Sequence, residues 1–341
     1  NMRRVNRGLV AAILFVIIFL LMYFFRSAKP VYQRDEGFIF GTVYHVTYRY
    51  DKNLLSEIQR ELEAFDLSLS PFNEASVISK VNRNESIEVD DWFRAVFLRS
   101  KEIYKSTGGA FDPTLSPLIN AWGFGFKNGD TITPVMIDSL LEIVGMNKVE
   151  LKGGRVIKED NRVTLNFSAI AKGYATDVIG KFLEKKGITD YLVEIGGEII
   201  AKGKNPKGEL WSVGISKPQE ENDVQNSDIE EIIRFTDAAV ATSGNYRNYH
   251  LVNGRKVAHT IDPASGYPVR HSLLSATVMA PDCMTADAYA TAFMVLGVER
   301  SKEILAAEPE LDALLIFASK DDTLGNEYYM TPGFAKRVRE N

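Results

Sequence analysis

Asp287 and Thr291 stand four residues apart in Met284-Thr-Ala-Asp-Ala-Tyr-Ala-Thr291, a stretch that reads as helix. That spacing sets a carboxylate and a hydroxyl on one helical face, one turn apart. Such an oxygen pair suits a hard cation such as Mg²⁺, which prefers oxygen ligands and often shares them with a substrate phosphate. It equally suits a capping or surface arrangement, because Asp and Thr bond readily to nearby backbone. A second segment, Asn166-Phe-Ser-Ala-Ile-Ala-Lys-Gly-Tyr-Ala-Thr-Asp177, reads as a helix N-terminus with Lys172 in its first turns, a setting that favours anions. A cation half-site and a phosphate half-site in one chain point to chemistry on a nucleotide.

Three further segments carry reactive or anchoring groups. In Gly109-Ala-Phe-Asp-Pro-Thr114, Asp112 sits between an aromatic residue and a proline. That context predicts a rigid turn, with the carboxylate either functional or capping the following helix. In His259-Thr-Ile-Asp-Pro-Ala-Ser-Gly266, His259 is either a proton shuttle or a hydrogen-bonded structural residue. Thr242-Ser-Gly-Asn-Tyr246 offers backbone donors to an anion at Ser243 and Gly244, or else is a hairpin bend. The chain has no HExxH, CxxC, GxSxG or Walker sequence, which leaves zinc, redox-thiol and serine-hydrolase chemistry without support.

The elements that must position these groups are mixed. Alternating residues predict a strand over Phe38–Tyr50, and apolar spacing predicts helices over Leu54–Leu67, Trp92–Tyr104 and Pro134–Val144. Short strands are expected at Val163–Leu165, Tyr191–Ile195, Ile199–Gly203, Trp211–Ser216, Ala239–Thr242, Tyr246–Val252 and Leu273–Met279. Helix returns at Cys283–Leu296 and Arg300–Ala307, before a buried strand at Leu311–Phe317. Strands that follow one another without an intervening helix favour antiparallel pairing, so the expected class is α+β, with mixed, largely antiparallel sheets and packed helices. No strand leads into a Gly-x-Gly-x-x-Gly turn, and the glycines of Trp122-Gly-Phe-Gly-Phe126 lie in an aromatic loop.

Leu9 to Phe25 is an unbroken apolar run, preceded by Arg3, Arg4 and Arg7 and followed by Arg26 and Lys29. It is long enough for a membrane segment or a signal h-region. The excess of positive charge before it predicts a cytoplasmic amino end and an exported body. No small-x-small cleavage site stands out, and no nearby cysteine is available for a lipid, so residues 1–30 are read as an uncleaved signal anchor and residues 31–341 as the working domain. The first 30 residues hold five basic and no acidic side chains, so the chain's −5 becomes −10 for residues 31–341, a balance unsuited to gripping nucleic acid. The single cysteine, Cys283, cannot form an internal disulfide. Glu220-Glu-Asn-Asp-Val-Gln-Asn-Ser-Asp228 reads as a solvated loop.

Taken together and in order, these segments resemble the ApbE family, the FAD:protein FMN transferases. The motifs are Gly41-Thr42, Ser70-Pro-Phe-Asn73 with Val81-Asn82, Gly109 to Thr114, Ser168 to Tyr174, Gly196-Gly197, Thr242 to Tyr246, His259 to Gly266, and Ala286-Asp287 with Thr291. The resemblance runs from about Gly37 to the carboxyl end. It implies that FAD is cleaved at its pyrophosphate, that FMN joins a threonine of a target protein, and that AMP leaves. It further implies Mg²⁺ held by Asp287 and Thr291 with the Ala169 carbonyl, and flavin and adenosine contacts at Phe40, Phe72, Ala110, Phe111, Asp112, Asn166, Lys172 and Ile261. His259 lies in a motif with the family's spacing and is assigned to assist transfer beside Asp287. The implied acceptors are flavin-carrying subunits of electron-transport complexes, met on the outer side of the cytoplasmic membrane. Three residues depart from the family's usual pattern: Phe40 replaces methionine, Phe72 replaces tyrosine, and Asn166 replaces aspartate. Two other functions fit the same residues, a Mg²⁺-dependent FAD pyrophosphatase and a non-catalytic FAD-binding module.

Overall fold

The computed structural model describes residues 15–18, 31–123, 132–216, 218, 229–244, 249–252, 255–258, 260–319 and 325–338, with the backbone alone at 229, 249–252 and 255–258. The described body opens with a hairpin, β1 (Tyr32–Ile39) and β2 (Thr42–Arg49). Its register pairs Ile39 with Thr42, which leaves Phe40-Gly41 as a two-residue turn with φ of 52° and 74°. Turns of this hand match the twist of the flanking strands. The single strand expected over Phe38–Tyr50 is therefore two strands. Side-chain alternation could not register the break, because it depends on a left-handed backbone at Phe40, which a bulky residue adopts only under strain.

Five helices follow, α1 (Leu55–Leu69), α2 (Val77–Asn82), α3 (Asp91–Ser106), α4 (Ser116–Ala121) and α5 (Pro134–Leu141). The first buries Ile58, Leu62, Phe65 and Leu69, an apolar stripe at helical spacing. The third starts at an Asp90 cap whose Oδ1 accepts from the Phe93 amide at 2.8 Å. A small hairpin, β3 (Val149–Lys152) with β4 (Arg155–Lys158), precedes α6 (Ala171–Lys185). Then come β5 (Tyr191–Ile195), β6 (Glu198–Lys202), β7 (Trp211–Ser216), β8 (Ile229–Phe235), β9 (Ala238–Gly244), β10 (Tyr249–Val252), β11 (Arg255–Ala258) and β12 (Leu273–Ala280). The chain closes with α7 (Cys283–Ala307), β13 (Asp312–Ala318), β14 (Asn326–Met330) and α8 (Pro332–Ala335).

Eight strands form one sheet in the order β1-β2-β5-β6-β9-β12-β13-β14, every neighbouring pair antiparallel. The α+β expectation holds for this body. One face of the sheet carries α6 and α7, with α1 and α3 outside them. The other face carries a second core, in which Trp211, Phe235 and Phe334 pack on Val240, Met279 and Leu314. Burial on both faces explains why β12 reads as a nearly continuous apolar run. The two helices expected at Cys283–Leu296 and Arg300–Ala307 are both present within α7, parted at Gly297, whose φ of 73° and ψ of −178° end the first and kink the chain into the second.

Val163–Leu165, expected as a strand, joins none. The Asn82 side chain takes the place of a neighbouring strand, accepting from the Leu165 amide and donating to the Leu165 carbonyl, each at 2.8 Å. Among the described residues no helix is long and apolar enough to cross a membrane. Of the Leu9–Phe25 run only residues 15–18 are described, as helix with exposed side chains. The loop expected at Glu220–Asp228 and the Gly-Phe-Gly-Phe part of the aromatic loop beyond Gly123 lie outside the described residues.

Helices α6 and α7 cross at Gly173, where an added Cβ would stand 2.2 Å from the Cys283 carbonyl oxygen and 2.8 Å from the Asp287 Cβ. One turn further along α6, Asp177 accepts from the amides of Cys283 and Met284 at 2.8 and 2.9 Å, and so satisfies the start of α7. Burial pushes the Asp177 carboxyl up to about 7, against the two amide bonds. A carboxyl raised from its unfolded value favours the folded state most when protonated, and this contribution fades as pH rises from about 4 to about 7. Asp177→Asn removes that titration. The stability margin of the wild type over Asp177→Asn should therefore shrink by about 2 kcal/mol between pH 5 and pH 8. Denaturant unfolding of both proteins at the two pH values tests this, and a margin that stays constant or grows contradicts it.

Candidate active site

The residues that position the site come from several separate places in the chain. The helix α7 presents Asp287 and Thr291 from one face, as their spacing requires. The start of α6 and the segment before it supply Asn166, Ser168, Ala169 and Lys172. The turn before α4 supplies Ala110, Phe111 and Asp112, and the end of β9 supplies Thr242, Ser243 and Gly244. With Thr260 and Ile261 they enclose a cavity of about 410 Å³. A second recess of about 220 Å³ is walled by Phe40, Phe65, Leu69, Ser70, Pro71, Phe72 and Ala171. The two meet at Ser168 and Lys172, which line both. The cavity carries the charged and polar groups among apolar walls, and its annex is largely aromatic and apolar, a layout suited to a ligand with a charged centre and a flat ring.

Asp287 is fully enclosed, and its Oδ2 accepts from the Gly173 amide at 3.0 Å. Gly173 is the third residue of α6, whose N-cap is Ile170, so its amide belongs to the helix's free first turn and Asp287 satisfies it. Ala169, one residue before that cap, lines the same cavity. Thr291 is half-buried and stands 3.5 Å from the Ser243 hydroxyl. Carboxylate, hydroxyl and main-chain carbonyl are all hard oxygen donors, the set that Mg²⁺ takes. Among the described residues no cluster of three or more His, Cys, Asp or Glu could hold a metal. A cation here would depend on neutral oxygens and on the ligand's own phosphates.

Lys172 reaches into this acidic ground. Its Nζ lies 2.6 Å from Oε1 of Glu198, a buried carboxylate at the start of β6. Burial works against the ammonium, yet the charges of Asp287 and Glu198 outweigh it and hold Lys172 above the usual lysine range. Burial raises the Asp287 carboxyl, with Lys172 and the Gly173 amide opposing. Glu198 is pushed up to about 8 by burial first and by the Asp287 charge second, with Lys172 opposing. A divalent cation among these groups would relieve both carboxyls.

Asp112 does not cap α4, whose first residue follows Leu115 with no side-chain cap. Its Oδ1 instead accepts from the Thr114 amide at 2.8 Å and the Thr114 hydroxyl at 2.6 Å. Burial is the main influence on its carboxyl and raises it. Asn166 uses Oδ1 in a local turn, accepting from the Ser168 amide at 2.9 Å. Phe40 packs edge-on against Phe65 with ring centroids 5.7 Å apart, and Phe72 is 73% exposed at the mouth of the recess. Ile261 is buried and bridges to Pro268.

Phe40, Phe72, Ala110, Phe111, Asp112, Asn166, Ala169, Lys172, Ile261, Asp287 and Thr291 thus converge on two connected recesses. His259 lies outside the described residues, immediately before Thr260 of the cavity wall. Glu198 is the residue that the motif reading missed. The available signal was an acidic side chain directly after Gly196-Gly197 and ahead of the apolar Ile199-Ile-Ala201, a costly placement unless it has a partner.

The chain also matches known proteins over most of its length. The FAD:protein FMN transferase of Vibrio cholerae is 35% identical over 305 residues, which cover 86% of this chain and 90% of that protein. The FAD:protein FMN transferase of Salmonella typhimurium is 31% identical over 322 residues, 90% of each chain. Among solved structures, the flavin transferase ApbE from Vibrio cholerae superposes with a TM-score of 0.80 at 32% identity, over 90% of this chain and 99% of that one. The ApbE protein from Thermotoga maritima superposes with a TM-score of 0.78 at 28% identity, over 91% and 100%. The sequence profile of the ApbE family matches residues 40–315, a span that contains both recesses and the α6–α7 crossing. By sequence and by fold, this chain belongs to the ApbE family.

Proposed function

We propose that this protein is a Mg²⁺-dependent FAD:protein FMN transferase that attaches FMN to a threonine of exported proteins and releases AMP. The observation that carries the reading is the junction of the two recesses, where a lysine, a carboxylate, a hydroxyl and a main-chain carbonyl meet beside an aromatic-walled annex. A diphosphate flanked by flat ring systems matches that layout. The aromatic faces of Phe40 and Phe72 suit a ring, and Lys172 at the N-terminus of α6 suits the phosphates.

In the reaction the acceptor's hydroxyl oxygen bonds to the FMN phosphorus, and the phosphorus–oxygen bond to the AMP phosphate breaks. The proton leaves the hydroxyl for a base, and AMP departs as the anion. Lys172 balances charge on the diphosphate, and the enclosed walls keep water from competing. Asp287, Thr291 and the Ala169 carbonyl would hold Mg²⁺, which supplies further charge neutralisation when bound. His259, next in sequence to the cavity residue Thr260, is assigned the base, because a threonine hydroxyl is a poor nucleophile at neutral pH. The Leu9–Phe25 run and its flanking arginines support anchorage of residues 1–30 in the cytoplasmic membrane, with residues 31–341 on the outer side. There the acceptors are flavin-carrying subunits of electron-transport complexes.

Mass spectrometry of a threonine-bearing acceptor incubated with the protein, FAD and Mg²⁺ tests the function directly. FMN and AMP formed without a labelled acceptor would make the protein a pyrophosphatase instead. Asp287→Ala should lower turnover by about a hundredfold or more while FAD binding stays measurable, because ring contacts do not need the cation. Calorimetry with Mg²⁺ should show weakened binding, and intact Mg²⁺ affinity with intact turnover would refute the ligand role. Lys172→Met should weaken FAD and AMP by about tenfold and leave riboflavin unchanged. An equal loss for all three ligands would make the lysine a structural brace. A reporter fused after residue 341 should be active only outside the cytoplasm, and the protein should stay with membranes after a carbonate wash. A soluble, shortened product would show that the segment is a cleaved signal.

A further inference from the structure

Glu198 is a buried carboxylate that is only half used. Its Oε1 pairs with Lys172 at 2.6 Å, while its Oε2 is buried without any hydrogen-bond partner, and the residue lines the main cavity. The backbone leaves it little freedom. It follows Gly196 and Gly197, both with positive φ, and opens β6, whose first pair is Ile195 with Glu198. A buried acceptor with nothing to accept from is costly, so an unmet carboxylate oxygen on a residue that lines the cavity calls for a donor. The unmet oxygen is an acceptor in a place where a ligand supplies the donor.

We infer that Glu198 contacts the reacting ligands, its Oε2 accepting a hydrogen bond from a ligand hydroxyl while its Oε1 keeps Lys172 turned toward the diphosphate. The inference rests on the transferase reading above. Two sources carry that hydroxyl chemistry, the sugar and ribityl chain of FAD and the side chain of the acceptor, and Glu198 orients whichever one lies against it. The carboxylate stays unchanged through the reaction.

Glu198→Gln keeps the volume and one oxygen for Lys172, and replaces the second acceptor with a donor. It should be compared with wild type, Lys172→Met and the double variant. The readouts are FAD affinity by flavin fluorescence, KM and kcat with an acceptor peptide, and Mg²⁺ affinity by calorimetry. A loss of about tenfold is expected in FAD affinity or in acceptor KM, and again when Glu198→Gln is added to Lys172→Met. Loss in FAD affinity identifies a hydroxyl of FAD, and loss in KM identifies that of the acceptor. No further loss in the Lys172→Met background would reduce Glu198 to a brace for the lysine and overturn the inference. Loss confined to Mg²⁺ affinity would overturn it too, by turning Oε2 toward the cation's water. If Glu198→Gln fails to fold, Glu198→Asp keeps the charge, shortens the reach and takes its place in the same measurements. Wild-type protein that binds no FAD would overturn the transferase reading and the inference with it. Wild-type protein that transfers FMN while Glu198→Gln matches it in every constant would overturn the inference alone.

Discussion

The site depends on how closely α6 approaches α7. At Gly173 the two backbones come so near that a methyl group would meet the Cys283 carbonyl and the Asp287 side chain. That proximity lets the Gly173 amide bond to Asp287, fixing the carboxylate's direction. The same crossing lets Asp177 bind the first amides of α7. The start of α7 is therefore satisfied by its neighbour as well as by its own Asp282 cap, which accepts from the Thr285 amide at 2.8 Å. One small residue thus orders the chemistry on both helices, and a larger one would separate the groups that must act together.

Charge at the crossing follows from this packing. Two buried carboxylates and one partly buried lysine stand close together, so each senses the others strongly. Lys172 is kept cationic by its neighbours in spite of burial, and the carboxyls resist ionisation until something positive joins them. A divalent cation placed there would relieve both carboxyls. The sheet provides the rigid floor. Strands β9 and β12 lie beneath α7, and the second core on the opposite face holds them in place.

Much of this was legible in the sequence, for identifiable reasons. The Asp287–Thr291 spacing, the lysine in the first turns of α6 and the Asp112 turn are local patterns, and local patterns survive in a linear reading. The α+β class followed from strands that succeed one another without helices between them. Other features depend on partners distant in sequence. Glu198 gains its meaning from Lys172, which reaches it across the cavity, and Val163–Leu165 looks like a strand because its neighbour is a single asparagine side chain. The Phe40 turn was hidden because it rests on one residue's backbone hand, which side-chain alternation does not report.

That turn separates the control of the two recesses. Phe40 rides at the tip of the hairpin that forms one edge of the sheet, braced by Phe65 from α1, whereas Asp287 and Thr291 belong to a helix over the sheet's middle. The aromatic annex and the oxygen-lined chamber are thus built from separate parts of the molecule and joined only through Ser168 and Lys172. Drift at the hairpin tip or around Phe72 can reshape which ring is admitted while the helical crossing is untouched. A fold wired this way can retune its choice of ligand by small edits at the rim, with the reactive centre inherited intact.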